Sequence, residues 1–257
     1  MARRTGEAVE GWENTYIEPC RLSPQSFHII RFYTVLEDLI HMDKMKTGTT
    51  TIGIVNADGV VLASEHRATM GNFIAHKETQ KVFRIDDNIG LTTAGLVGDA
   101  QVMARYLRAE VELYKLKRIA PMTIKSAATL TSNILRRGGG AYGYYYVGLI
   151  VGGYDKEGGH VYSLDAAGGS IPDHYISVGS GSPYAYGVLE DHYKKDITLD
   201  DSINLAIRAL NAAMKRDSAS GDGMDIVTIT KDGYVEVSQE EILKRASHMG
   251  INVPRPN

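Results

Sequence analysis

β-Branched and apolar residues at positions 49–55 give way to Asn56-Ala57-Asp58-Gly59 and resume at 60–64. Two such runs around turn residues predict a β-hairpin, here with a four-residue loop. A second strand pair is expected at 81–85 and 89–94, around Asp86-Asp87-Asn88. The first hundred positions thus predict about four strands, and helical spacing is confined to a short amphipathic stretch at 27–42. From 99 to 118 the period changes. Val102, Met103, Tyr106, Leu107, Val111 and Tyr114 recur three and four apart with charges between them, which predicts a long amphipathic helix. Pro121 ends it, and 123–137 form a second helix with Ile124, Ala127, Ala128, Thr131, Ile134 and Leu135 on one side. Strand signals return at 144–151, 160–164 and 175–178. Ser182-Pro183 reads as an N-cap and N1 pair, opening a helix to about residue 193. Thr198 opens another, with Ile203, Leu205, Ala206, Ala209, Leu210 and Ala213 as its apolar face. Strands at 225–230 and 234–237 join across Lys231-Asp232-Gly233, and a terminal helix covers 239–248.

The order is strands, helix pair, strands, helix pair, strands. Hairpins in place of strand–helix–strand crossovers favour antiparallel sheets, so the expected class is α+β. The expected architecture is a four-layer α/β/β/α sandwich of two antiparallel sheets covered by helix pairs. No linker or shift of composition divides 49–250, which reads as one domain.

Composition narrows the function classes. Lys and Arg number 28 against 31 Asp and Glu, a net charge of -3, which disfavours a surface built to hold nucleic acid or anionic lipid. No stretch reaches the roughly 20 apolar residues of a spanning helix. Arg3 and Arg4 are followed by no apolar segment of an export signal. The single cysteine, Cys20, can form neither an intrachain disulfide nor a cysteine-rich zinc site, which points to a reducing, cytoplasmic setting.

Familiar catalytic patterns are missing. Val178-Gly179-Ser180-Gly181-Ser182-Pro183-Tyr184 lacks the third glycine of a dinucleotide fingerprint, and no glycine loop continues into Lys-Ser or Lys-Thr. The eight histidines show no metal-ligand spacing, and there is no Gly-x-Ser-x-Gly elbow. What remains is a Gly48–Thr49 bond where the first strand begins. A threonine hydroxyl is a poor nucleophile unless a base takes its proton. A free α-amine, with a reference pKa of about 7.7–8.0, can be that base on the same residue. The β-methyl restricts χ1 and helps hold the hydroxyl in one orientation. Glycine before the threonine removes a side chain that would crowd the bond during self-cleavage.

Thr-Gly-Thr-Thr-Thr (47–51), Ser-Glu-His-Arg-Ala-Thr (64–69), Lys81 before an apolar strand and Thr-Ala-Gly-Leu-Val-Gly-Asp-Ala-Gln (93–101) follow one another. Asp-Ala-Ala-Gly-Gly-Ser (165–170), Gly-Ser-Gly-Ser-Pro (179–183) and Arg-Asp-Ser-Ala-Ser-Gly (216–221) complete the series. In this order, across residues 42–250, the set resembles the β subunits of archaeal 20S proteasomes, threonine proteases of the N-terminal-nucleophile hydrolase class. The resemblance implies that class's fold and a threonine endopeptidase needing no cofactor and no metal. It implies autocatalytic cleavage between Gly48 and Thr49, with Thr49 as the nucleophile and Glu65 and Lys81 as its partners. Whether Lys81 or the α-amine of Thr49 accepts the hydroxyl proton stays open. Asp217, Ser180 and Ser220 match the supporting polar cluster, and the N–H of Gly95 the oxyanion donor. Thr69 and Gly95 would pair with an extended substrate as an added strand. Ala68, Thr79, Phe83, Thr93 and Val97 match the first specificity pocket, whose uncharged lining favours hydrophobic P1 residues.

The implied partners are further β subunits in a seven-membered ring, flanking rings of α subunits, a regulatory ATPase acting indirectly, and unfolded polypeptide substrates. Neither nucleic acid nor membrane is among them. Two alternatives remain at this point: a non-catalytic ring subunit, or another N-terminal-nucleophile amidase, including the bacterial two-ring protease subunit. Residues 1–48 read as a leader longer than the family's short archaeal propeptides, with 1–41 either translated and removed or preceding a true start at Met42. The mature domain would then be 49–257, without Cys20 and Trp12.

Overall fold

The structure is a computed structural model and describes residues 48–140 and 143–254. The expected amphipathic stretch at 27–42, Thr47, Cys20, Trp12 and nearly all of the expected leader lie outside the described residues. The described residues open with β1 (Thr51–Asn56), β2 (Gly59–Glu65), β3 (Ala68–Met70), β4 (Phe73–His76), β5 (Val82–Asp86) and β6 (Ile89–Gly95). Helices α1 (Val97–Arg118) and α2 (Ile124–Arg137) follow, then β7 (Val147–Asp155), β8 (Gly158–Leu164), β9 (Ser170–Asp173) and β10 (Tyr175–Val178). The second helix pair is α3 (Ser182–His192) and α4 (Leu199–Arg216), and the chain closes with β11 (Met224–Thr230), β12 (Gly233–Glu236) and α5 (Gln239–His248).

Ten of the strands form two five-stranded antiparallel sheets, ordered β10-β1-β2-β11-β12 and β5-β6-β7-β8-β9. Period-two alternation decides which layer each side chain enters. On β2, Val60 and Leu62 join Ile150, Val161, Ile176 and Ile229 in a core between the sheets. Val61 and Ala63 point the other way, packing with Ile52 and Ile54 against Leu189, Ala206 and Leu210 of the second helix pair. The remaining sheet packs Leu91, Leu149 and Val151 on Met103, Leu107, Ala127 and Leu135. The layers are therefore helices, sheet, sheet, helices, as the order of elements implied. Burying one large aliphatic side chain is worth about 1.5–3 kcal/mol, so these continuous apolar layers are what hold the sheets in register. Glycine makes the close sheet approach possible: a Cβ at Gly90 would lie 2.6 Å from Leu62 Cδ1, and one at Gly152 2.8 Å from Leu62 Cδ2.

Several expectations need correction. The turn after β1 is tighter than a four-residue loop, because Asn56 pairs with Gly59 and its Oδ1 accepts the Asp58 N–H at 3.0 Å. Gly181, not Ser182, is the N-cap of α3, with Pro183 inside the first turn. Among the described residues up to position 100 there are six strands, since β3 and β4 form a small sheet of their own around a Gly71-Asn72 turn. Those strands escape a pattern search because Met70 and Phe73 face outward. β9 also escapes it, being exposed along its length and carrying Pro172, as an edge strand can. On α1 the buried face is turned relative to expectation: Ala100 and Ala104 are buried while Tyr106 is half exposed. Small residues let this helix lie close on its sheet, and apolarity alone could not signal that. Thr198, in contrast, caps α4 as read, its side chain accepting the Asp201 N–H.

Candidate active site

Four connections converge where β1 begins. β1 lies between β10 and β2, with Thr51 opposite both Val178 and Ser64. That register sets Thr49 and Thr50 between the loop 179–181 and the end of β2 at Glu65. Met224 pairs with Glu65, which brings the segment 217–223 to the same edge. Glycines permit the crowding: a Cβ at Gly181 would lie 2.0 Å from Thr50 Oγ1. At Gly179 (φ +109°) a Cβ would lie 2.0 Å from the Thr49 carbonyl oxygen. The Gly-Ser-Gly stretch is thus a close-approach turn.

The peptide between Gly48 and Thr49 is intact, so the Thr49 nitrogen is an amide here. Its N–H donates to Ser180 Oγ at 3.1 Å. Ser180 Oγ in turn donates to Asp217 Oδ2 at 2.6 Å, and Ser220 Oγ donates to the same oxygen at 2.7 Å. Asp217 is held because it is also the C-cap residue of α4, and its Oδ1 accepts the Ala219 N–H at 3.2 Å. Ser220 Oγ lies 2.7 Å from Thr50 Oγ1, so its contact is with the residue after Thr49.

On the other side stands a buried ion pair between Lys81, just before β5, and Glu65. Glu65 Oε1 accepts from Lys81 Nζ and from Thr50 N–H at 3.2 Å; Oε2 accepts from Arg67 N–H at 2.7 Å and Gly221 N–H at 3.0 Å. Lys81 Nζ also donates to the Arg67 carbonyl. Burial pushes the Glu65 carboxyl up and the Lys81 ammonium down, each shift opposed by the other's charge and hydrogen bond. The lowered lysine is the direction a proton acceptor needs.

Thr49 and Lys81 both line one pocket, open at its mouth, with a cavity volume of about 40 Å³. Ala68, Thr69, Thr79, Phe83, Thr93, Gly95 and Val97 line it too. Gly95 ends β6 at φ +115°, and a Cβ there would sit 2.2 Å from the Tyr146 carbonyl oxygen, so glycine is required by conformation and by space. Among the described residues, no group of three or more His, Cys, Asp or Glu could hold a metal ion, and no helix is long and apolar enough to cross a membrane.

Residues 45–229 match the proteasome subunit family. The chain belongs to that family. It is 53% identical to a protein named proteasome subunit beta from Archaeoglobus profundus over 208 residues, 80% of this chain and 96% of that one. It is 53% identical over 204 residues to the protein of that name from Methanosarcina thermophila, covering 79% and 96% of the two chains. For the Thermoplasma acidophilum protein of that name the identity is 51% over 208 residues, 80% of this chain and 97% of that one.

Within this proteasome-family fold, sequence reasoning passed over residues that the geometry makes prominent. Gln80, Ala100 and Gln101 complete the pocket wall. Arg67 gives its carbonyl to Lys81 and its amide to Glu65. Its guanidinium binds Asp222 at 2.6 Å and the Ser218 carbonyl at 2.8 Å, tying the segment that carries Asp217 to the end of β2. The signal was available, since Arg67 stands inside the Ser-Glu-His-Arg-Ala-Thr motif.

Proposed function

We propose that the chain is a catalytic β subunit of the proteasome core particle, a threonine endopeptidase that activates itself by cutting between Gly48 and Thr49. The observation that supports this best is the placement of Thr49 between two polar systems at one pocket. Ser180–Asp217 takes its N–H, while Glu65–Lys81 takes the N–H of the next residue, Thr50, and Lys81 lines the pocket with Thr49. Once the bond is cut, the Thr49 nitrogen becomes an amine. Ser180 Oγ, already donating to Asp217, can accept one amine hydrogen and leave the nitrogen lone pair free. Thr49 Oγ then attacks the substrate carbonyl, and its proton passes to the α-amine or to Lys81. Glu65 balances the charge on Lys81 whenever the lysine is protonated. The Gly95 N–H stabilises the oxyanion, a class of interaction worth about 10²–10³ in kcat per donor.

An extended polypeptide adds as a strand beside Thr69 and Gly95. Its P1 side chain enters the pocket beside Ala68, Thr79, Phe83, Thr93 and Val97, five uncharged side chains that accept hydrophobic residues. The subunit works in the cytoplasm within seven-membered β rings closed by α rings and fed by an ATPase, and acts on unfolded chains that can thread inside. Cleavage after Gly48 leaves a catalytic domain of 49–257. Purified protein combined with an α-subunit partner is assayed on fluorogenic peptides with hydrophobic P1 residues, and the mature N-terminus is read by mass spectrometry. Hydrolysis that starts with appearance of Thr49 as first residue is the expected result. Undiminished activity of Thr49→Ala would refute the mechanism.

A further inference from the structure

Two hydrogen bonds fix the peptide to be cut: Gly48 N–H donates to Thr69 Oγ1 at 3.1 Å, and Thr49 N–H to Ser180 Oγ at 3.1 Å. With the backbone so held, an L side chain on residue 48 has one direction to take. Its Cβ would lie 1.8 Å from Ala219 Cβ, 2.9 Å from Ser180 Oγ and 3.1 Å from Ala219 Cα. Real Cβ atoms do not approach so closely, and two of the three obstacles belong to Ala219. That residue cannot retreat freely. Its N–H donates to Asp217 Oδ1 at 3.2 Å, its predecessor's carbonyl accepts from Arg67 at 2.8 Å, and Ser220 N–H donates to the Asp217 carbonyl at 3.1 Å. The nearest atoms belong to Ala219, in the segment after α4, and to Ser180; none belongs to Ala68, Thr79, Phe83, Thr93 or Val97, although Gly48 borders the same pocket.

We propose that Ala219 is a specificity-determining residue for self-cleavage: its methyl group occupies the place a side chain on residue 48 would need, so only glycine is accepted there. The reading rests on Thr49 as nucleophile and adds a second selection to it. In self-cleavage Thr49 Oγ attacks the Gly48 carbonyl carbon. The C–O bond forms, the C–N bond breaks, and the hydroxyl proton ends on the Thr49 nitrogen. Water then hydrolyses the ester, releasing the Gly48 carboxylate and restoring the hydroxyl. A larger residue 48 must rotate the peptide to clear Ala219, carrying its carbonyl away from Oγ. Peptide substrates, selected by the pocket, meet no such wall. One nucleophile therefore obeys two rules, glycine alone in its own chain and hydrophobic residues in substrates.

The test follows processing of the full chain, with its α partner, by intact mass. Gly48→Ala is expected to slow cleavage about 10²-fold, the scale of an ångström-sized misplacement. Adding Ala219→Gly is expected to bring it back to within about tenfold of the parent. Parental processing of Gly48→Ala alone overturns the proposal. So does a double variant that stays uncut while an Ala219→Gly chain expressed from Thr49 hydrolyses peptide, since that chain shows the site formed. Should the double variant not fold, parental processing of Gly48→Ala remains the overturning result. A parent chain that is not cut before Thr49 refutes the nucleophile assignment instead, a different result from either.

Discussion

Replacing Glu65 by Gln keeps the shape of the side chain and removes its charge. Four donors converge on the carboxylate, Lys81 Nζ and Thr50 N–H on one oxygen, Arg67 N–H and Gly221 N–H on the other. Whichever way the new amide is turned, its NH₂ faces two donors and they lose their acceptor. The side chain is wholly buried, so water cannot replace it. Leaving Lys81 without its partner adds an uncompensated charge in the same place, and breaking such buried pairs costs about 3–5 kcal/mol. At about 2–4 °C per kcal/mol for a domain of this size, the melting temperature should fall by roughly 6–20 °C. The assay is thermal and urea unfolding of the purified chain by circular dichroism. A Glu65→Gln, Lys81→Met double variant should recover part of the loss, since no buried charge is left unpaired, yet remain without peptidase activity. A Glu65→Gln chain within about 1 kcal/mol of the parent would refute the claim that four buried donors depend on this carboxylate.

Lys81→Arg keeps the positive charge but cannot release a proton near neutral pH, so peptidase activity should fall by about 10²–10⁴ if the lysine takes the threonine proton; parental activity would leave that step to the amine alone. Gly95→Ala meets the Tyr146 carbonyl and a positive φ together, and is expected to cost about 1–3 kcal/mol in urea unfolding as well as most activity. Arg67 holds the Asp222 carboxyl below its ordinary range. The folded chain therefore binds fewer protons there than the unfolded one, and this contribution is present above the unfolded value of 3.8 and lost as pH falls through the lower folded value. Asp222→Asn should accordingly flatten the loss of stability below about pH 4, read from melting temperatures against pH. Thr93→Val removes a hydroxyl from the pocket and should lower KM for peptides with branched aliphatic P1 residues by a few-fold, worth about 1 kcal/mol.

The layered fold was legible because its elements bury one face each. Ile203, Leu205, Ala206, Ala209, Leu210 and Ala213 predict α4 and are all buried on it. α5 was expected at 239–248, the bounds it has. What failed was whatever does not bury an apolar face: β4 and β9 are largely exposed, three-residue β3 turns its one large apolar side chain, Met70, to solvent, and α1 meets its sheet through Ala100 and Ala104. At the site, the Gly48–Thr49 bond and the run of motifs nominated residues one by one, but no spacing could reveal which of them meet. Thr50 reaches Ser220 across 170 positions and Arg67 reaches Asp222 across 155, contacts that exist only after β1, β2 and β11 pair. Arg67 stands inside the Ser-Glu-His-Arg-Ala-Thr motif, yet its role there is not legible from its side chain alone. Two of its contributions to the site come from its backbone, which side-chain chemistry does not announce.

Asp217 ends α4 and also receives Ser180 and Ser220. The 18-residue helix therefore works as a ruler. Each residue added or removed between Thr198 and Asp217 would swing the carboxylate about 100° around the axis and shift it 1.5 Å along it. No compensating adjustment of a side chain covers such a swing. Length can drift in the β3–β4 turn or at the chain's far end without consequence for Thr49, whereas the count of residues in α4 is bound to the chemistry as tightly as the identity of the carboxylate itself.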